Sequence, residues 1–450
     1  MSNEKLIEKL FLIGKDKFDD MEIYVESSKA ISIGVFNGEV DKYSIAESGG
    51  LSLRGVSNNK MGYSYTEKLD ETSVDMLINE AYENASFIES AEDEEIFAGA
   101  DKYKVVNSYS DKLSLSSMEQ KINLTKELEQ VALSVDKRVT AVQECGYQEF
   151  EETSTLVNTK GIDLSHKING GAIYIQVIVK EGEDTKTAMA FRTFTDLEEV
   201  DIKDIAIEAV EEAISLLGAS PIKTGEYPII IKNTVFADIL TVCSSIFSAE
   251  NVDKGLSLLK DKIGDNVASE ILTIVDDPFL EGGFASRGFD GEGMKTSKKN
   301  IIHNGILTTY LHSLKTAKKF NVTPTGNSTR GSYKSPLSIA PSNLYVEAGE
   351  HSLEEMISTI DSGIYIIDVA GLHSGLNPVS GDFSLSASGY EIKEGKILRP
   401  INQITIAGNF YEVLKNIESI GDDLIFGLPE GSFFGSPSIK IRSISVAGEN

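Results

Sequence analysis

Imidazole, thiolate and carboxylate groups are what a chain most often uses to bind a metal or move a proton, and their placement here is sparse. The five histidines, His166, His303, His312, His351 and His373, lie in distant segments. None stands three to five residues from another, so no single helical turn presents a ligand pair; ligands gathered from distant segments stay open. The helix-like stretch 236–247, following the apolar strand Tyr227–Lys232, contains no histidine and no glutamate; the first glutamate after it is Glu250. A zinc hydrolase needs imidazole or thiolate ligands and a base to activate water, and this stretch offers only Cys243. No catalytic side chain and no metal ligand is therefore assigned.

Carboxylates gather instead in the loop 276–293, which runs from Asp276-Asp277-Pro278 to Arg287-Gly288-Phe289-Asp290-Gly291-Glu292-Gly293. It lacks the alternating ligands and closing glutamate of an EF-hand, which argues against calcium. Its glycines fit tight turns and close backbone approach. Arg287 is its one cation and suits bidentate grip of a carboxylate, in a structural or a substrate-directed role. Ser380, Ser384, Ser386 and Ser388 cluster without a nucleophile elbow. Ser388-Gly389 sits inside a predicted strand, and the small residues from Asp382 to Gly389 imply close packing or a cleft wall that accepts another backbone. No phosphate-binding loop or dinucleotide fingerprint occurs.

These groups need elements to position them. Leu6, Ile7, Leu10 and Phe11 recur at helical spacing; strands are expected at 21–26, 30–36, 40–46, 51–55 and 62–66, with hairpin signals at Asn37-Gly38 and Gly49-Gly50. This reads as an antiparallel meander, closed by a helix over 72–88 and an acidic loop at 89–95. A second passage carries a helix (116–135), strands (139–149, 154–158, 163–179, 187–194) and a helix (201–217). Gly218-Ala219-Ser220-Pro221 breaks the chain there. The expected organisation is an N-terminal α+β domain over 1–218, with sub-segments of about 1–100 and 101–218, and a strand-rich mixed domain over 222–450. The fold class is α+β.

With 450 residues the chain is long enough for two or three domains, and its net charge of −28 (70 acidic against 42 basic residues) opposes direct contact with nucleic acid. Cys145 and Cys243 fall in different predicted domains, which argues against a disulfide framework and fits a reducing cytoplasm. No apolar run spans a bilayer and the N-terminus shows no signal-type apolar region, so the expected localisation is cytoplasmic.

The C-terminal motifs are specific in combination. Phe289-Asp290-x-Glu292-Gly293-x-Lys295-Thr296 leads to Ile302-x-Asn304-Gly305-Ile306-Leu307-Thr308, then to Thr325-Gly326-Asn327, Gly381-Asp382-Phe383-Ser384, Ala387-Ser388-Gly389-Tyr390 and Ile404-Thr405-Ile406-Ala407-Gly408-Asn409. Their order and spacing resemble the TldD/PmbA family, long labelled modulators of DNA gyrase. One branch of that family is similar to zinc peptidases, with H-E-x-x-x-H on the helix after the first strand of the C-terminal domain and a further cysteine ligand near the C-terminus. Here the corresponding window, about 240–245, has neither His nor Glu, and the C-terminal motif Glu430-Gly431-Ser432-Phe433-Phe434-Gly435-Ser436-Pro437 has no cysteine. Both departures match the PmbA/TldE-like branch.

The resemblance implies a metal-free partner or regulatory subunit of a metallopeptidase that acts on small or unfolded peptides, with zinc only in a TldD-like partner and no cofactor of its own. A homodimer is the other expected assembly. The substrate cleft would involve Arg287, Asp290, Glu292, Asp382, Ser388 and Gly389, with peptide held by strand addition along 381–389. Two alternatives accompany this reading: a metallopeptidase active alone as a homo-oligomer, and an interaction protein acting on gyrase.

Overall fold

A computed structural model describes residues 3–88, 94–429 and 431–449, so most of the acidic loop read at 89–95 lies outside the described residues. Helix α1 (Asn3–Gly14) buries Leu6, Ile7 and Leu10 against Met21, Ile23, Leu51 and Leu53. The chain then runs through β1 (Asp20–Phe36), β2 (Glu39–Ser57) and β3 (Lys60–Thr66), the expected antiparallel meander, and α2 (Val74–Ser86) packs on it. Asn37 and Gly38 both have positive φ (53° and 77°), as a tight hairpin turn requires.

Gly49-Gly50 is not a turn: β2 passes straight through it. The glycine gives clearance, because a Cβ on Gly50 would lie 2.2 Å from the ring of Tyr333, which reaches over from the C-terminal half.

After α3 (Asp111–Leu115) the pattern repeats: α4 (Met118–Val135), β4 (Val139–Asn158), β5 (Asp163–Glu181), β6 (Asp184–Phe194) and α5 (Ile202–Ser215). Ser117 and Gln120 close a capping box that fixes the start of α4. The six strands form one sheet in the order β3-β2-β1-β4-β5-β6, so the two sub-segments share a sheet through the antiparallel β1–β4 pairing. Helix, three-stranded meander, helix occurs once on each side of that seam. Leu128 and Ala132 of α4, and Ile205 and Ala209 of α5, bury Ile173, Ile175 and Val177 on one face of the sheet.

The C-terminal half begins with β7 (Gly225–Ile231), α6 (Asn233–Cys243) and α7 (Ala249–Asp253). It continues through β8 (Ile274–Asp276), β9 (Lys299–His303), β10 (Ile306–Leu307), α8 (Leu314–Phe320), β11 (Ser328–Arg330), β12 (Leu337–Ile339) and β13 (Asn343–Val346). Then come α9 (Leu353–Ser358), β14 (Ser362–Ala370), α10 (Leu372–Gly375), β15 (Asp382–Lys393), β16 (Lys396–Asn409) and α11 (Phe410–Lys415). The chain ends with β17 (Ile417–Ile420), β18 (Ile425–Phe426), β19 (Phe433–Ser436) and β20 (Ile439–Ala447).

Strands β16, β15, β14, β7 and β20 close on themselves, because β16 also pairs with β20. Closure removes the edges of those strands and leaves an apolar interior that holds Ile229, Ile231, Ile364, Ile366, Ile404 and Ile441. A second sheet, in the order β10-β9-β8-β13-β19-β18, lies beside it. The mixture of helices with mainly antiparallel sheets is the expected α+β class. Among the described residues no helix is long and apolar enough to cross a membrane.

Candidate functional site

A cleft of about 520 Å³ opens where the N-terminal sheet meets the C-terminal barrel. One wall is α6. Its apolar positions Phe236, Leu240 and Cys243 are sunk in the barrel core, while Thr234, Asp238 and Thr241, at helical spacing, line the cleft. The opposite wall is β6, through Thr187, Met189 and Phe191. The β18–β19 hairpin contributes Gly427, Leu428 and Phe434.

The charge in this cleft centres on Lys232, which follows β7 and is anchored by its N–H donating to Ile366 O at 2.9 Å. Its ammonium meets the carboxylate of Glu212 on α5 at 2.5 Å. Asp368 faces the same lysine. A bulge between Ile366 and Asp368 interrupts the β14–β15 ladder at this point, and bulges re-aim side chains. Burial pushes the Glu212 carboxyl above the usual carboxylate range; Lys232 opposes this, and Glu208 and Asp368 add to it. Burial likewise raises Asp368, against the pull of Lys232. One ammonium thus serves two carboxyls with raised proton affinity, a set suited to hydrogen-bonding amide groups. His373 and Ser388 complete the polar lining.

A zinc ion of the peptidase kind does not fit these residues. The cleft face of α6 carries two hydroxyls and one carboxylate, and the thiol of Cys243 points into the core, where burial pushes it up to about 12. Among the described residues no group of three or more His, Cys, Asp and Glu side chains is arranged to hold a metal ion.

The six residues singled out in the sequence fall in five places. Ser388 lines the cleft. Gly389 packs against the neighbouring strand: a Cβ there would stand 1.9 Å from Tyr365 O, so close backbone approach is its role. Asp382 is exposed at the start of β15, where its carboxylate accepts from Asn409 Nδ2 at 2.9 Å.

Asp290 and Glu292 are both buried, and Glu292 also lines, with Arg54, a cleft of about 490 Å³. Asp290 Oδ1 accepts from the N–H groups of Glu292 and Met294, both at 2.9 Å, and Oδ2 from Ser328 N at 3.0 Å. Glu292 accepts from Leu314 N at 3.0 Å and from the Ser328 hydroxyl, and lies 3.9 Å from Arg54, which pairs with Glu22 at 2.9 Å. They hold a loop and a buried ionic seam between the two halves. Arg287 lines a separate cleft.

The strand-addition site expected along 381–389 is also displaced. Both edges of β15 are occupied, by β14 and β16. Ala387 faces the barrel core and Ser388 the cleft, as strand alternation dictates. Glu212, Lys232 and Asp368 were not identified from sequence. The available signal was Asp368 itself, a lone carboxylate following the apolar run Ile364-Tyr365-Ile366-Ile367.

Three domain signatures match the chain: PmbA/TldA metallopeptidase domain 1 over residues 21–85, the central domain over 111–217 and the C-terminal domain over 224–448. A protein of Methanothermobacter thermautotrophicus named a metalloprotease is 26% identical, over 96% of this chain and 96% of its own. A crystallised Thermotoga maritima protein, described as a modulator of a DNA gyrase, is 31% identical, covering 99% of this chain and 100% of its own, with a TM-score of 0.91. TldE of Thermococcus kodakarensis shares the fold, with a TM-score of 0.90 at 24% identity over 98% of this chain and 100% of its own.

Proposed function

Given that the chain belongs to the PmbA/TldD metallopeptidase family, we propose that it is the metal-free partner subunit of a TldD/TldE-type peptidase, and that it holds peptide for a zinc-bearing partner. The observation that carries this reading is the cleft face of α6. On the helix that corresponds to the H-E-x-x-x-H helix of the peptidase branch, this chain turns Thr234, Asp238 and Thr241 to the cleft, and the window about 240–245 has neither His nor Glu. A helix so furnished has neither the imidazole pair nor the glutamate base that zinc-assisted hydrolysis requires.

The peptide's place in this reading is the free edge of β6. Among the described residues β6 pairs with β5 alone, and Thr187, Met189 and Phe191 bring it to the cleft. A strand edge offers unpaired N–H and C=O groups to any extended backbone, which favours small or unfolded peptides over a particular sequence. Lys232, Glu212 and Asp368 stand opposite as amide partners.

The test is co-expression with a TldD-like paralogue, followed by sizing, metal analysis and cleavage of an unstructured peptide. The expected result is a stable complex that cleaves, and an isolated chain that neither retains stoichiometric zinc nor cleaves. Retained zinc with hydrolysis by the isolated chain would instead establish a self-sufficient peptidase.

A further inference from the structure

On the face of the N-terminal sheet opposite α4 and α5, a second cleft of about 340 Å³ lies between β4, β5, the loop 284–287 and residues Pro429, Gly431 and Ser432. Arg287 lines it. The backbone of Arg287 is fixed by its own N–H donating to Pro278 O at 3.0 Å and by its carbonyl accepting from Thr296 Oγ1 at 2.6 Å. The guanidinium has no such partner: Nε is buried without a hydrogen bond, and among the described residues no carboxylate lies within ion-pair distance. An arginine held in place, with a buried Nε and no ion pair among the described residues, carries an uncompensated loss of solvation unless an anion completes it.

The neighbours define which anion. Glu152 and His166 share the cleft. Burial, and then the Glu26 carboxylate, raise the proton affinity of Glu152; Arg287 acts on it in the opposite sense, but from beyond ion-pair distance. His166 is kept neutral by burial and by Arg287, its pKa lowered to about 4. Beside the guanidinium the walls are apolar: Phe150 and Phe284 meet edge to face at 5.9 Å between centroids, and Ile168 adjoins them. A planar cation next to an aromatic pocket matches a carboxylate that carries an apolar side chain on the adjacent carbon. A compact ion such as phosphate would leave the aromatic wall unused.

We propose that the Arg287 cleft binds the C-terminal carboxylate of a peptide, with the last side chain against Phe150 and Phe284. This deepens the peptide-holding reading and rests on it for biological meaning, yet it is tested without a partner subunit or cleavage. N-acetyl-phenylalanine, its amide, acetate and inorganic phosphate would each be titrated into the full chain by calorimetry, with the His166 imidazole followed by NMR.

The expected result is that the acid binds at least tenfold more tightly than the amide, acetate or phosphate and moves the His166 signal. Arg287→Gln should abolish the preference for acid over amide, and Arg287→Lys should weaken it, since lysine keeps the charge but loses the fork. Equal binding of acid and amide, or no binding of the acid, overturns the carboxylate site whatever the chain does with longer peptides. Equal binding of acetate or phosphate and the acid overturns the peptide-end assignment. A C-terminally amidated peptide that binds the intact chain as tightly as its free acid would leave the β6 reading standing while this one falls. The wild-type comparison of acid with amide needs no variant, so a misfolded substitution cannot decide the outcome.

Discussion

Lys232 Nζ and Glu212 Oε2 stand 2.5 Å apart, and this contact joins the end of the first barrel strand to the last helix of the N-terminal domain. Both side chains are about four-fifths shielded, at 18% and 22% exposure, and they form one rim of the cleft. The pair fixes the distance between α5 and α6, and so the width of the opening between β6 and the barrel.

Lys232→Met leaves Glu212 and Asp368 facing each other without a cation. Stability should fall by about 1–3 kcal/mol, less than for a fully buried pair because water reaches this one. Glu212→Gln should cost less, since burial already raises the proton affinity of that carboxyl. Denaturant titration of both variants and the double mutant measures the coupling.

Ser388→Phe fills the cleft from a strand whose two edges are already paired. Peptide retention, and partner-dependent cleavage if the proposed complex forms, should drop at least tenfold while the midpoint of unfolding changes little. Ala387→Phe is the control: that residue faces the barrel core, so overpacking should cost about 1–3 kcal/mol and report on folding rather than on the cleft.

Gly50→Ala brings a methyl group against the Tyr333 ring. The variant should lose about 1–3 kcal/mol, and Tyr333→Ala in the same chain should restore part of it. Simple additivity of the two losses in unfolding experiments would show that the ring is not held over Gly50.

His166 gives a pH dependence with a definite sign. Its folded pKa, about 4, lies below the ordinary 6.5, so the unfolded chain takes up the proton first as pH falls. The contribution of this group is complete above pH 6.5 and is lost between 6.5 and 4, amounting to about 2 kcal/mol at pH 5. His166→Gln should therefore flatten the stability profile between pH 7 and pH 5, measured by denaturant midpoints. His312, also lowered to about 4 by burial, should sustain the remaining slope.

Local chemistry made much of the architecture readable. The Asn37-Gly38 turn, the apolar face of α1 and the helices read at 116–135 and 201–217 all appear in place, because turn and periodicity are properties of neighbouring residues. Gly49-Gly50 misled because the same residue type serves a turn and a long-range clearance, and only the approach of Tyr333 distinguishes them. The site was less legible. Asp290 drew notice as a carboxylate among glycines, and backbone N–H groups occupy it in the interior, whereas Glu292, beside Arg54, lines a cleft of about 490 Å³.

The order of residues by itself determined the family, the α+β class and the want of histidine and glutamate on the helix after the first barrel strand, since motif spacing and side-chain identity are written in one dimension. Tertiary structure alone decided that β16 closes onto β20, that β15 has no free edge and that Lys232 meets Glu212. The Lys232–Glu212 and β16–β20 contacts link groups 20 to more than 40 residues apart, and their partners are chosen by packing between elements, which no local pattern of residues encodes.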